Sequence, residues 1–231
     1  MADLPRGELI RAFVSLAVTL LVMIALLFGA AGTLQWGRGW WFMGVFVILI
    51  LISTAALWRL NPEIFVARAR PTGAGTKGWD RLLLTVLLLA FAAIMPFAGL
   101  DDGRFHWAPA PDWAVDFGYL LVVIGFVGTA WAQAVNQHFE PSVRIQSDRD
   151  HQVISTGPYA YVCHPGYVFG SLLAVGAGLA LGSIWALLPA AVVIALLLVR
   201  TNLEDATLQR ELPGYAAFAQ RTRYKWIPGV W

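Results

Sequence analysis

The chain has 231 residues, 58% of them hydrophobic and 13% charged, with a mean hydropathy of +0.66. This balance lies outside the ordinary globular range and indicates a polytopic membrane protein. A net charge of +2 with no single basic patch excludes a nucleic-acid binder, and a single cysteine, Cys163, excludes an internal disulfide or a cysteine-built metal cage.

Crossing the hydrocarbon takes roughly 20 apolar residues in a helix. Four runs meet that length: Leu9 to Ala31, Trp40 to Leu60, Leu82 to Leu100 and Trp113 to Ala134. The first has no small-residue cleavage site after it and reads as a retained helix, not a signal peptide. The next run, Tyr167 to Val199, would be about 50 Å long as one helix. Gly182 and Ser183 interrupt it, so it reads as two short legs joined by a tight turn, each marginal in length. Gly170, Gly176, Gly178 and Gly182 are small enough for close helix contact, and Pro189 predicts a kink in the second leg.

The expectation is therefore an all-α membrane protein of about six transmembrane segments, the last two a short helical hairpin. It reads as a single integral-membrane domain over 1–231, with four helices in 1–135 and a loop, hairpin and catalytic segment in 136–231. Lys and Arg set the orientation. In a six-span arrangement 14 of the 16 basic residues fall on one side with both termini, and only Arg38 and Arg104 fall on the other. That assigns both termini to the cytosol. The sequence carries no signal for oligomeric state.

Two polar segments flank the hairpin on that cytosolic face. The first, Asn136 to Tyr167, holds His138, His151 and His164 between Gly/Pro turns and reads as a folded loop that can present backbone groups to a ligand. The second begins inside the last apolar leg, where Arg200 and Glu204 stand four apart on one helical face, with Asp205 beside them and Leu208 and Leu212 continuing an apolar stripe. Ionised groups at a membrane boundary face protein or a wet cavity, because lipid contact is costly.

The run TGPYAYVCHPGY, a glycine-rich hairpin, then RTNLEDATL, LPGYAAF and RYKWIPG, in that order and spacing, resemble the isoprenylcysteine carboxyl methyltransferase and phospholipid methyltransferase superfamily. The resemblance covers about residues 136–229, with weaker support from NPEIFVARARP and KGWDRLLL around residues 61–84, which are similar to bacterial members. It implies a multi-pass enzyme of a bacterial inner membrane that uses S-adenosylmethionine, held in a C-terminal cytosolic pocket. The implied cofactor contacts are Arg144, His151, Gln152, Val153, Ile154, Tyr159, His164, Pro165, Gly166, Tyr167 and Glu204. The implied catalytic pair is Arg200 and Glu204. Two positions depart from the family pattern: Cys163 stands where an arginine usually precedes His-Pro, and Asp205 replaces a second glutamate.

Methyl transfer by in-line displacement needs alignment, shielding and electrostatic complementarity more than a metal, and no spacing among the four His compels one. The soluble donor enters from water and an apolar or lipid acceptor enters from the bilayer. A prenylcysteine-like carboxylate needs no proton removed, and Arg200 would orient it. An amine must lose a proton, which Glu204 or His164 would take. A membrane-embedded NADPH-dependent reductase of related architecture is the alternative enzyme, and a transporter the non-enzymatic one, although the first three spans are nearly free of polar residues.

Each residue also has a plainer reading. Arg200 and Glu204 alone make a helix-end ion pair. Tyr159, Tyr167, Trp226 and Trp231 read as interfacial anchors. Arg221, Arg223 and Lys225 read as a lipid-facing basic cluster, and Cys163 as a small buried side chain.

Overall fold

The computed structural model describes residues 6–62, 64–65 and 75–231. Among these residues the protein is all-helical, with α1 (Arg6–Ala31), α2 (Gly37–Leu60), α3 (Gly78–Leu100), α4 (Asp112–Val135), α5 (Pro165–Ala180), α6 (Leu187–Glu211) and α7 (Tyr215–Thr222). The four long apolar runs of the sequence thus form α1 to α4. Part of the weaker motif support, residues 63 and 66–74, lies outside the described residues.

Four stretches are long and apolar enough to cross a membrane: α2, Gly78–Phe105, α4 and α6. The described apolar part of α1, Leu16–Ala31, and α5 are shorter. Exposed Leu, Ile, Val and Trp side chains cover the outside of these helices, among them Leu21, Ile52, Leu89 and Val127. Such a surface is stable against lipid and not against water, so the protein is a multi-pass membrane protein.

Burial alone does not drive helices together in lipid, so the tightest contacts use small residues. The α4–α5 pair is the most extensive helix contact in the bundle. A Cβ on Gly118 would stand 2.4 Å from the Ala180 nitrogen, and one on Gly128 would stand 2.2 Å from the Phe169 ring. From the other side, a Cβ on Gly176 would lie 2.8 Å from the Gly118 carbonyl oxygen. Gly178 packs on Ala186 in the same manner, as expected. Gly170 does not, since its nearest neighbour would be Leu197 at 3.9 Å.

The hairpin is present, but its second leg is not short. The helix α6 runs unbroken for 25 residues, because no breaker follows Val199 until Pro213 and Gly214. Nor does Pro189 kink it. Pro189 lies in the first turn of α6, where a backbone N–H has no helical partner to lose. Gly182 contributes a turn conformation, with φ of +81°, and packs closely, since a Cβ there would stand 2.7 Å from Arg38 Nη1 of α2 and 2.9 Å from Asp102 Oδ1.

That turn is fastened to the rest of the bundle by two buried carboxylates. Asp101 accepts from the Ser183 hydroxyl at 2.6 Å and from the Ala108 N–H at 2.7 Å. Asp102 accepts from Trp36 Nε1 at 2.8 Å and pairs with Arg38 at 2.6 Å. Backbone bonds from Ala110 to Gly182 and from Ile184 to Ala108 close the joint.

At the opposite end the chain terminus is part of the core. Trp226 is buried and donates Nε1 to Thr201 Oγ1 at 2.7 Å, while the Trp226 and Ile227 N–H groups bond back to the Trp231 carbonyl. Trp226 is therefore a packed core residue and not an interfacial anchor. Lys225 turns inward to Asp205 at 3.1 Å and leaves the expected lipid-facing cluster, because a buried carboxylate attracts it more strongly than lipid does.

Candidate active site

The segment between α4 and α5 is a folded loop with two short 3-10 turns, Ser147–Arg149 and Gly157–Ala160. It closes over the ends of α5 and α6 and over α7. Together they line one cleft that is partly open to solvent. All eleven positions that the resemblance implies for the cofactor line this cleft: Arg144, His151, Gln152, Val153, Ile154, Tyr159, His164, Pro165, Gly166, Tyr167 and Glu204. Arg200 does not.

The loop is held by its own side chains. Asn136 donates to the Tyr159 hydroxyl at 2.9 Å, and Gln146, fully buried, donates to the His138 carbonyl at 2.7 Å. The His138 and His151 rings lie 4.6 Å apart. Burial, helped by the neighbouring His138, Arg144 and Arg149, holds the His151 imidazole down to about 4, and burial likewise depresses His138. Both are therefore neutral donors and acceptors at neutral pH. Arg144 is fixed by Glu140 at 2.7 and 2.8 Å and by Asp148 at 2.6 Å, bonds that keep its guanidinium charged. Burial pushes the Cys163 thiol up to about 11, so it is a protonated filler and no nucleophile.

The start of α5 carries the imidazole-bearing turn. His164 caps the helix and Pro165 occupies its first position, where proline is favoured. Gly166 leaves room for the Phe139 ring, which a Cβ would approach to 2.7 Å. His164 and Tyr167 are one turn apart, their rings nearly parallel at 5.7 Å. The Tyr167 hydroxyl donates a short hydrogen bond to Glu204 across the α5–α6 interface.

Arg200 is one turn before Glu204 but is committed elsewhere. Its Nε donates to Asp80 Oδ1 at 2.7 Å and its Nη2 to Asp80 Oδ2 at 3.1 Å and to the Pro141 carbonyl at 2.5 Å. Asp80 also accepts from the Val143 N–H at 2.6 Å. Arg200 and Glu204 thus do not pair with one another. The guanidinium lies 5.5 Å from the Tyr167 ring centre and reaches the cleft through that ring. Among the described residues, Glu204 is left as a cleft-lining carboxylate with no cation in ion-pair contact.

Sequence reasoning did not single out Asp80, Glu140, Tyr215 or Phe218. Asp80 had a signal: a charge in the first turn of an otherwise apolar helix must face a partner. Tyr215 and Phe218 line the cleft from α7, inside the LPGYAAF motif. Among the described residues no His, Cys, Asp and Glu group is arranged to hold a metal.

No curated protein matches the chain. Residues 113–213 match the family model described as phospholipid methyltransferase. The match spans α4 to the end of α6 and takes in every cleft position implied from the sequence. It agrees with the motif resemblance to the isoprenylcysteine carboxyl methyltransferase and phospholipid methyltransferase superfamily, and the matched family is one of methyltransferases.

Proposed function

We propose that the protein transfers a methyl group from S-adenosylmethionine to an apolar or membrane-resident acceptor, with the cofactor held in the cleft between the α4–α5 loop and α5–α7. The observation that carries this reading is the convergence of eleven motif positions on one cleft whose floor presents the Glu204 carboxylate. In this reading the chain is one domain of six spans, with α5 completed by burial against α4, and the cleft and both termini face the cytosol of a bacterial inner membrane.

The residues present fit such a cofactor. The cleft combines neutral His138 and His151, loop backbone groups and apolar Val153, Ile154, Leu208 and Phe218, which suits a nucleoside. Bound there, S-adenosylmethionine would supply a methyl carbon on a sulfonium, transferable to the acceptor as the C–S bond breaks. Glu204, fixed by Tyr167, complements positive charge near the reacting atoms. Tyr167 and His164 shape the wall against which the reactants would align. Arg200 acts through Tyr167 and Asp80, holding α3, the loop and α6 together beneath the cleft. A lipid acceptor enters from the bilayer, and if it brings an amine, Glu204 or His164 in the cleft lining would take its proton.

The test is to incubate purified protein in detergent with methyl-labelled S-adenosylmethionine and fractionated membrane lipids. The reading predicts label in a lipid fraction with wild-type protein and its loss with Glu204→Gln. Folded wild-type protein that labels no fraction contradicts it.

A further inference from the structure

The cleft-lining His164 is held by groups that lie beyond the matched segment. The chain end runs beside the turn before α5, so that the Cys163 N–H donates to the Tyr224 carbonyl at 2.8 Å and the His164 N–H to the Lys225 carbonyl at 3.0 Å. Trp226 then locks this strand-like contact to α6 through Thr201. The same tail places the Lys225 ammonium 3.1 Å from Asp205 Oδ2.

Asp205 is 3% exposed and lies at the centre of a closed polar set. Its Oδ1 accepts the Tyr215 hydroxyl proton at 3.0 Å and stands 3.6 Å from His164 Nε2. The Tyr215 oxygen lies 3.3 Å from the same His164 nitrogen. With its proton given to Asp205, the Tyr215 oxygen is an acceptor, so the two oxygens facing Nε2 both require N–H there. The imidazole proton is thereby fixed on Nε2, and Nδ1 is left as an acceptor.

We propose that Tyr215 and Lys225, acting through Asp205, are positioning residues for methyl transfer that hold His164 in the cleft wall with its proton on Nε2. The proposal rests on the methyltransferase reading only for its consequence in catalysis; the arrangement of His164 is testable without it. The charged and titratable groups facing His164 are Asp205 from α6, Tyr215 from α7, Lys225 from the tail, Tyr167 from α5 and Cys163 beside it. The Lys225 ammonium is the only cation in ion-pair contact with Asp205 among the described residues. Its removal leaves a buried carboxylate against the imidazole, which favours a second ring proton on Nδ1.

The experiment follows the histidine side chains of 15N-histidine-labelled protein in detergent by NMR across pH, with His164→Asn used to assign the His164 signal. In wild type, the neutral His164 ring should give the signature of the Nε2–H tautomer. In Lys225→Met the His164 ring signals at neutral pH should depart from the Nε2–H signature, and Lys225→Arg should restore them. Tyr215→Phe should leave the protein folded and mix the two tautomers. Lys225→Met should reduce kcat for methyl transfer about tenfold at neutral pH, with the KM for S-adenosylmethionine changed less. A wild-type ring with its proton on Nδ1, or unmoved His164 ring signals in folded Lys225→Met, would overturn the proposal. Wild-type protein that transfers no methyl group would count against the cofactor reading alone, and the NMR result would still decide this one.

Discussion

The two ends of the α5–α6 hairpin both bury carboxylates, yet they use them differently. At the turn, Asp101 and Asp102 are saturated by Ser183, Trp36, Arg38 and backbone N–H groups, and none of these residues lines the candidate cleft. At the other end, Asp80 and Asp205 are saturated in the same way by Arg200, Lys225 and Tyr215, but Glu204 has only the Tyr167 hydroxyl and faces an open cleft. Buried charge in a membrane helix therefore marks a joint as readily as a site. What separates them is whether a polar group remains with capacity to spare beside a cavity.

The largest expected effect sharpens that distinction on the structural side. Asp80→Ala strands the Arg200 guanidinium in a buried position and should cost about 3–5 kcal/mol, seen as a fall in the unfolding temperature in detergent. Glu204→Gln should behave in the opposite sense, with little change in unfolding temperature and a loss of methyl transfer of roughly 100-fold, about 3 kcal/mol of transition-state stabilisation. If Glu204→Gln unfolds the protein as Asp80→Ala does, the two carboxylates are alike and the contrast fails.

Gly118→Ala tests the packing that holds α5, and hence the His164 turn, against α4. Its Cβ meets backbone and not a flexible tip, so overpacking should cost about 1–3 kcal/mol in thermal unfolding. Acid provides a smaller, graded probe of the loop. The folded value of His151, about 4, lies below its unfolded value of 6.5. Between these values the unfolded chain takes up a proton that the folded chain does not, so stability should fall as pH drops through that window, and His151→Gln should flatten the slope. Smallest of all, Arg38→Ala at the turn should cost about 1 kcal/mol, because its side chain is partly in solvent and Asp102 keeps the Trp36 bond.

The sequence is most legible where one physical constraint dominates. Apolar runs of bilayer length gave α1 to α4 within a few residues, and Gly182 gave the hairpin turn, because spanning lipid leaves the backbone few options. The cleft positions came from the motif resemblance alone, and Gly157, Pro165 and Gly166 shape the loop that brings them together. Long-range pairing was not legible. Arg200 and Glu204 look like partners on one helical face, but Asp80, 120 residues earlier, wins the guanidinium by offering two oxygens from a facing helix. Trp226 and Lys225 look interfacial by residue type, and only the fold shows Thr201 and Asp205 waiting beneath them. The length of α6 was missed because hydropathy ends at Val199 while helix propensity continues through Thr201–Glu211 without a breaker.

The measurement that tests the central claim most directly is thermal unfolding of the wild-type protein in detergent with S-adenosylhomocysteine or NADPH. A cofactor cleft as assigned here predicts that S-adenosylhomocysteine at about 100 times its Kd adds about 2.7 kcal/mol and raises the unfolding temperature, while NADPH does not. An unfolding temperature unmoved by S-adenosylhomocysteine at saturating concentration, or raised by NADPH instead, would contradict it.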